Sequence, residues 1–537
     1  VFFDLTQRKT QTAQYWQEQL TINNRDTEAI YQQILDHGSP VNLDDIALTL
    51  VRRHCNEEEL AARSELQVGK LYQPKESYQV NEKVVFPTLD FAIGTVVSTR
   101  AGHHPEYGSF TVIKVEFDKR NGVAREFVAQ FDYSHPLNIG EEQSLANIQG
   151  LTSPEEIYQM YHEAICQRIK DALASSNDFI NFHDHYFLRD LLPEFHEGLF
   201  NIADAAIDIN NAPLDIDSLI DQMGLVESNQ EITDITRFSV SYRLANDERF
   251  IDVGPTGQVL WYLERIAPPE AHYPPRRLQA VKQDYDSTVF DPNLLEIVAE
   301  IDDELTRPED IDPVPPDTKK ITLTLNYPHW RVGTLPLTPK TRPFFPTSSY
   351  NPVVFQFVDG RTGQTFPGWA VLKHNYVFGL GDWYKKNKLP VGAYITLKRT
   401  DDPMQVIVDY QSTRTQRDWV RMATYSNYKL SFQMSPAALS CKYDELMVIG
   451  VANPASMDAA WVNAEEKGTQ IFDLLCDIFP ELSKLNPQST VQAKTLYSAV
   501  NVVRRAAPGV IFQELISHAC FSPMNHGYWI YDPSLRD

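Results

Sequence analysis

Along this chain the spacing of apolar residues switches repeatedly between a helical period and a strand period, which one continuous core cannot accommodate. Asn42 precedes Leu43, Ile46, Ala47, Leu50 and Val51, the stripe of a helix packed on a core. Ala29, Ile30, Ile34 and Leu35 mark a helix before it, His37-Gly38-Ser39-Pro40 separates the two, and a third helical stretch is expected over 57–65. From Tyr78 to Phe131 the period is two. Residues 83–86, 94–97, 110–117 and 126–128 read as short strands, divided by turns at Gly102-His103-His104-Pro105 and Arg120-Asn121-Gly122. Residues 154–265 return to helix, with Ile157, Tyr161, Ala164, Ile165, Ile169 and Ala172 along one face. Residues 319–421 are strand-rich and 430–537 helical again. At 537 residues the chain is long enough for about three or four domains.

Charge divides the chain more sharply than composition does. The net charge is −24, which by itself disfavours phosphate contacts. Yet 319–421 holds fifteen Lys or Arg against six Asp, a local +9, while 284–317 holds twelve acids against Arg307 alone, a local −11. The acidic stretch ends in Arg307-Pro308-Glu309-Asp310-Ile311-Asp312-Pro313-Val314-Pro315-Pro316, the composition of a solvated, stiff linker, which a short helix near residues 294–305 is expected to interrupt. A basic module inside an acidic chain points to a polyanionic partner. No apolar run reaches the roughly 18 residues of a membrane span, so no membrane partner is expected. Val1-Phe2-Phe3-Asp4 lacks a signal pattern and an initiator Met, which reads as a record starting inside a longer frame. Cys55, Cys166, Cys441, Cys476 and Cys520 are scattered and form no CxxC, as in a reducing compartment.

Two features suggest winged helices. Ala212-Pro213-Leu214-Asp215-Ile216-Asp217-Ser218-Leu219 echoes Ser39-Pro40-Val41-Asn42-Leu43-Asp44-Asp45-Ile46, an internal repeat of one helix start. After a third helix at about 234–245, two apolar runs flank Gly254-Pro255-Thr256-Gly257, the pattern of a wing hairpin. Asp247, Arg249-Phe250, Gly254, Gly257 and Trp261-Tyr262-Leu263 resemble the closing run of HARE-type winged helices, a family that includes the folded domain of the bacterial RNA polymerase delta subunit. Asn81-Glu82-Lys83-Val84-Val85-Phe86-Pro87 followed by Gly94-Thr95-Val96-Val97 resembles the opening hairpin of SH3, Tudor or KOW-type barrels. The passage from Gly381 to Gly392, with Trp383, Tyr384 and Leu389-Pro390-Val391-Gly392, resembles the plant-type DNA-binding pseudobarrel, and Phe345-Pro346 matches an early feature of that family loosely.

The expected fold class is therefore multi-domain α+β, with winged-helix modules alternating with small β-barrels. The expected modules are a helix-turn-helix-like 1–70, a small barrel at 71–140, a winged helix at 150–266, a linker at 267–317, a basic pseudobarrel at 318–425 and a winged-helix-like 430–537. The pseudobarrel resemblance implies contact with double-stranded DNA through Arg331, Lys340, Arg342, Lys373, Lys385, Lys386, Lys398 and Arg399. Trp330, Tyr350, Trp369, Tyr376, Trp383 and Tyr384 fit a barrel core better than base-stacking platforms.

The functional expectation is a non-enzymatic, DNA-binding, transcription-associated or regulatory protein, cytoplasmic, with association to a prokaryotic nucleoid as a further option. A scaffold for RNA polymerase or another protein is one alternative, and the recognition subunit of a restriction or defence system another. Nucleotide-binding, zinc-protease and nucleophile-elbow motifs are absent, so no catalytic residue, cofactor or metal is assigned. His183-Asp184-His185 lies in an apparently helical or irregular stretch without further ligands, and His103-His104 in a turn. Asp302, Asp303 and Glu304 near Asp317-Thr318-Lys319-Lys320 lack the Glu-x-Lys of a metal-dependent nuclease. Arg504-Arg505 reads as a basic pair complementing a helix end.

Overall fold

Asn23 and Asp26 cap each other's backbone at the start of α1 (Asn24–His37), and Gly38, at φ 66°, ends it. β1 (Val41–Asn42) leads into α2 (Leu43–Leu66). That helix contains no Gly or Pro, so the stretch at 57–65 is its continuation and not a separate helix. The computed structural model describes residues 8–536 apart from 67–68, 87–88, 90–91, 118–123, 134, 136–137, 139–151 and 227–230. Val1-Phe2-Phe3-Asp4 and the Arg120-Asn121-Gly122 turn lie outside the described residues. The chain divides into two compact units, Val1–Phe195 with Gln230–Arg243, and His196–Asn229 with Leu244–Asp537.

In the first unit β2 (Lys70–Leu71), β3 (Lys83–Phe86), β4 (Ala92–His104), β5 (Gly108–Phe117) and β6 (Ala124–Ala129) follow α2 and form one sheet in that order. Tyr72, Phe86 and Phe127 pack together at its centre, with ring centroids 4.3 to 5.4 Å apart. Ser153 and Glu156 then cap α3 (Pro154–Ala174), which leads to β7 (Phe179–Phe182) and β8 (His185–Leu188). β8 pairs back onto β1, giving the order β1-β8-β7. This is helix–strand–helix–helix–hairpin, the order of a winged helix, with the five-stranded module inserted before its third helix. His183, at φ 52°, and Asp184 make the turn of the hairpin. The His183-Asp184-His185 run is thus part of a wing and not of a helix, because the aromatic and branched residues around it favour pairing. Asp184 pairs with Lys170 at 2.9 Å.

The same order recurs in α4 (Glu197–Asn210), β9 (Leu214–Asp215), α5 (Ile216–Met223), α6 (Asp234–Ala245), β10 (Phe250–Asp252) and β11 (Leu260–Leu263), with strands ordered β10-β11-β9. Residues 234–243 of α6 belong to the first unit, where Phe238 meets Phe187 edge-on. Leu214-Asp215-Ile216-Asp217 and Val41-Asn42-Leu43-Asp44 occupy one structural place, a two-residue strand running into a helix.

Residues 267–317, expected to be a solvated linker interrupted by a short helix near residues 294–305, carry α7 (Pro292–Ile301) as that helix, but its Leu294, Ile297, Val298 and Ile301 are buried in the C-terminal core together with Tyr285 and Phe290. The i, i+3, i+4, i+7 stripe wins because Glu296 and Glu300 lie off it. β12 (Lys320–Thr324), α8 (Tyr327–Val332), β13 (Thr334–Pro336), β14 (Val353–Asp359), β15 (Thr365–Val371), β16 (Tyr376–Phe378), α9 (Gly381–Lys386), β17 (Tyr394–Arg399) and β18 (Gln405–Tyr410) follow. Their seven strands form a sheet in the order β12-β17-β18-β14-β15-β16-β13, with β14 and β18 parallel. Gly392 in the Leu389-Pro390-Val391-Gly392 passage is required twice over: its φ is 89°, and a Cβ would lie 2.9 Å from the Val448 backbone.

β19 (Ser412–Ser426) and β20 (Lys429–Cys441) form a long antiparallel ribbon, with β21 (Ile449–Val451) parallel to β19. Residues 430–441, read as the start of a helical region, are therefore strand. Asn427 and Tyr428, at φ 49° and 61°, make a two-residue hairpin turn that no glycine signals. α10 (Pro454–Glu466), α11 (Ile471–Ser483), β22 (Val491–Gln492), α12 (Ala493–Val503), α13 (Pro508–Ser517), β23 (Phe521–Pro523) and β24 (Tyr528–Tyr531) complete the chain. From α11 onward the winged-helix order appears again, with strands β22-β24-β23, and every residue of α12 is buried.

A buried ionic cluster ties α7 and the seven-stranded sheet to α12. Arg505 donates to Asp303 at 2.6 and 2.7 Å and to Glu304 at 2.7 Å, and His329 meets Glu304 at 3.0 Å. Tyr497 donates its hydroxyl to Asp303. The three acids are therefore packed structural groups, and Arg505 serves the core and not the helix end. Asp302 lies beside them at φ 50°, with Thr338 donating to one carboxylate oxygen at 3.1 Å. Burial pushes its carboxyl up to about 6, against the pull of Lys340. An acid whose folded pKa is raised makes the folded state bind the extra proton, so stability falls as pH rises between about 4 and 6. We expect Asp302→Asn to flatten that part of the curve of urea midpoint against pH. An unchanged slope would show that Asp302 does not titrate there.

Candidate nucleic-acid interface

The eight basic residues predicted from sequence separate into two groups. Five are engaged internally. Arg331 pairs with Asp458 at 2.7 Å, and Lys340 donates to the Ala299 carbonyl at 2.6 Å. Arg342 donates to Asn375 at 2.7 Å, Lys398 pairs with Asp409 at 2.9 Å, and Arg399 donates to the Pro316 carbonyl at 2.8 Å while lying over the Phe344 ring. Lys373, Lys385 and Lys386 are exposed. Lys385 has only a 3.3 Å pair with a fully exposed Asp382, an interaction worth little in water. Four of the aromatics are core, with Trp369, Tyr376, Trp383 and Tyr384 all buried. Trp330 is half-buried and donates to the Leu389 carbonyl, and Tyr350 is exposed.

The structure adds partners that the sequence did not single out. The turn between β14 and β15 is held by Asp359, whose carboxylate accepts from the Arg361 amide at 2.9 Å. Arg361 donates to the Tyr410 hydroxyl at 2.6 Å and lies over that ring, and Tyr410 donates to Asn387 at the end of α9. Lys386 donates to Gln364 from the same turn at 3.1 Å. These contacts gather Arg361, Lys385, Lys386 and Lys388 at one end of the sheet. All four residues are exposed, and Trp383 and Tyr384 anchor α9 beneath them in the core.

The ribbon starts two residues after Tyr410. Arg414 and Arg417 are exposed on β19 and have no ion pair among the described residues. Trp419 beside them is 66% exposed. A two-stranded ribbon is one of the two elements that fit the major groove. Arginines offer bidentate donors there, and an exposed indole supplies an apolar contact for thymine methyl groups. Sequence reading stopped the basic module near 421 and so cut this ribbon in half.

The helices in winged-helix order are poorer candidates, since a reading helix presents its free face to the groove. α13 is covered by residues 283–286: Gln513 accepts from the Asp286 amide, Glu514 accepts from Gln283, and the Tyr285 ring sits where a Gly509 Cβ would be. α3 carries four acids, Glu155, Glu156, Glu163 and Asp171, against Arg168 and Lys170. Among the described residues no helix is long and apolar enough to cross a membrane. No protein-family model, curated protein or solved structure matches the chain.

Proposed function

We propose that this chain is a non-enzymatic binder of double-stranded DNA in the cytoplasm, gripping phosphates with the basic end of its seven-stranded sheet and the adjoining ribbon. The observation that carries this reading is the clustering of cations: Arg331, Lys340, Arg342, Lys398 and Arg399 are engaged by internal partners, whereas the exposed Arg361, Lys385, Lys386 and Lys388 converge at one end of the sheet, where Tyr410 and Gln364 are neutral partners and Asp382 is fully exposed. Phosphate contact releases counterions, so the signature is salt dependence. The full chain, titrated with random duplex DNA across a salt series, should show log K falling with log salt at a slope of about −3 to −4 for four phosphate contacts. Engagement of Arg414 and Arg417 would steepen it to about −5. No binding at low salt would overturn the reading.

A second reading rests on the other side chains of the ribbon. Trp419, Tyr428 and Met434 are 66%, 80% and 39% exposed, an apolar set suited to docking RNA polymerase or another protein. Trp419→Ala separates the two. On the DNA reading it weakens duplex binding without changing the salt slope, whereas on the scaffold reading it leaves duplex binding intact.

A further inference from the structure

We propose that Asp44, His162 and Cys166 form a binding site for one divalent cation of the zinc class, on the N-terminal winged helix. His162 and Cys166 are one turn apart on α3, and Asp44 stands in the first turn of α2. The three side chains offer an oxygen, a nitrogen and a sulfur within 4.8 Å of one another. Asp44 Oδ1 is 3.2 Å from His162 Nε2, and Cys166 Sγ is 3.7 Å from the same nitrogen. Tetrahedral zinc bonds of about 2.0–2.1 Å to nitrogen and oxygen and about 2.3 Å to sulfur give ligand edges of roughly 3.3 and 3.6 Å. Two of the three edges therefore already have the length that coordination requires. The third edge, between Asp44 and Cys166, lies within the same 4.8 Å span.

The donor set selects the cation. A thiolate and an imidazole exclude the hard ions calcium and magnesium, and the mixed set with one carboxylate suits zinc. Tyr158, one turn before His162 on the same face, donates its hydroxyl to Asp44 Oδ1 at 2.8 Å and lies 3.7 Å from Cys166 Sγ. Such a partner fixes a ligating carboxylate in place. Burial pushes the Cys166 thiol up, so binding must drive its proton into solvent as the sulfur–metal bond forms. His162 is 47% exposed, which leaves the fourth position open to water or to an incoming donor, as in three-ligand sites.

Cobalt(II) titration of the chelator-treated full chain tests the proposal. The expected result is one equivalent bound, with tetrahedral d–d bands and a thiolate-to-cobalt charge-transfer band, both removed by added zinc. Cys166→Ser should abolish the charge-transfer band, and Tyr158→Phe should weaken binding by about tenfold. Absence of the bands in the unmodified chain overturns the site, as does their persistence in Cys166→Ser, which would place the ion on another cysteine. Should Cys166→Ser not fold, Asp44→Asn at an exposed position decides the matter: a loss of at least about tenfold supports the site, and unchanged affinity overturns it.

Discussion

Replacing Arg505 by Met should cost about 3–5 kcal/mol of stability, the loss expected when one partner of a buried ionic cluster is removed. Arg505 is 1% exposed, and its guanidinium is the main positive charge facing Asp303 and Glu304. Methionine fills a similar volume but leaves two carboxylates in a medium that solvates them poorly. His329 touches Glu304 but not Asp303 in this network, so it can neutralise only one of the two. Arg504→Met is the control, because Arg504 only donates to the Ala464 carbonyl at 2.9 Å, a bond worth about 1 kcal/mol. Urea unfolding of both full-length variants measures the difference. A loss below about 1 kcal/mol for Arg505→Met would mean that the cluster contributes no net stability. Acid should narrow the gap. Burial alone would raise the Glu304 carboxyl, but Arg505 and His329 hold it below the ordinary range. A depressed acid stabilises the fold above its unfolded pKa, and that contribution is lost as pH falls through the folded value. The wild-type protein should thus lose more stability than Arg505→Met between about pH 5 and pH 3.

The cluster also shows where sequence reading stops. Asp302, Asp303 and Glu304 stand about 200 residues from Arg505, and nothing local announces that they meet. The acidic, proline-rich composition of 284–317 suggested a solvated tether, and the burial of Leu294, Ile297, Val298 and Ile301 shows that four well-spaced apolar residues outweigh it. Where the signal was periodic, the reading carried further. The multi-domain α+β class, the repeated strand-and-helix start at Pro40 and Pro213, and the strands at β12, β14, β17 and β18 all rest on local patterns. The third copy of that start, Val491-Gln492-Ala493-Lys494, went unseen because it lacks the proline and the Asx. β19 and β20 went unrecognised for a related reason, since Tyr428 occupies a left-handed turn position where glycine would have marked a hairpin. For the interface, residue type showed which side chains could bind phosphate. Only the fold shows which of them are already spent on Asp458, Asp409 or a backbone carbonyl.

That distinction sets the second large effect. Lys385→Glu with Lys386→Glu replaces two solvent-facing cations at one helix end by anions, so each site both loses an attraction and gains a repulsion. At moderate salt the duplex affinity of the full chain should fall by about 10²-fold or more, and the salt slope should lose about 2 units in magnitude. Folding should be untouched, because both side chains are exposed while Trp383 and Tyr384 keep α9 in place. Lys398→Gln is the informative comparison. Lys398 lies in the same basic window, but its ammonium already faces Asp409 at 2.9 Å, so its removal should leave the slope unchanged. Equal slopes for the unmodified chain and the double variant would sink the assignment of this end as the phosphate contact. A loss of slope with Lys398→Gln equal to that of the double variant would instead mean that the field of the whole basic window, and not the convergence of four solvent-facing cations, drives binding.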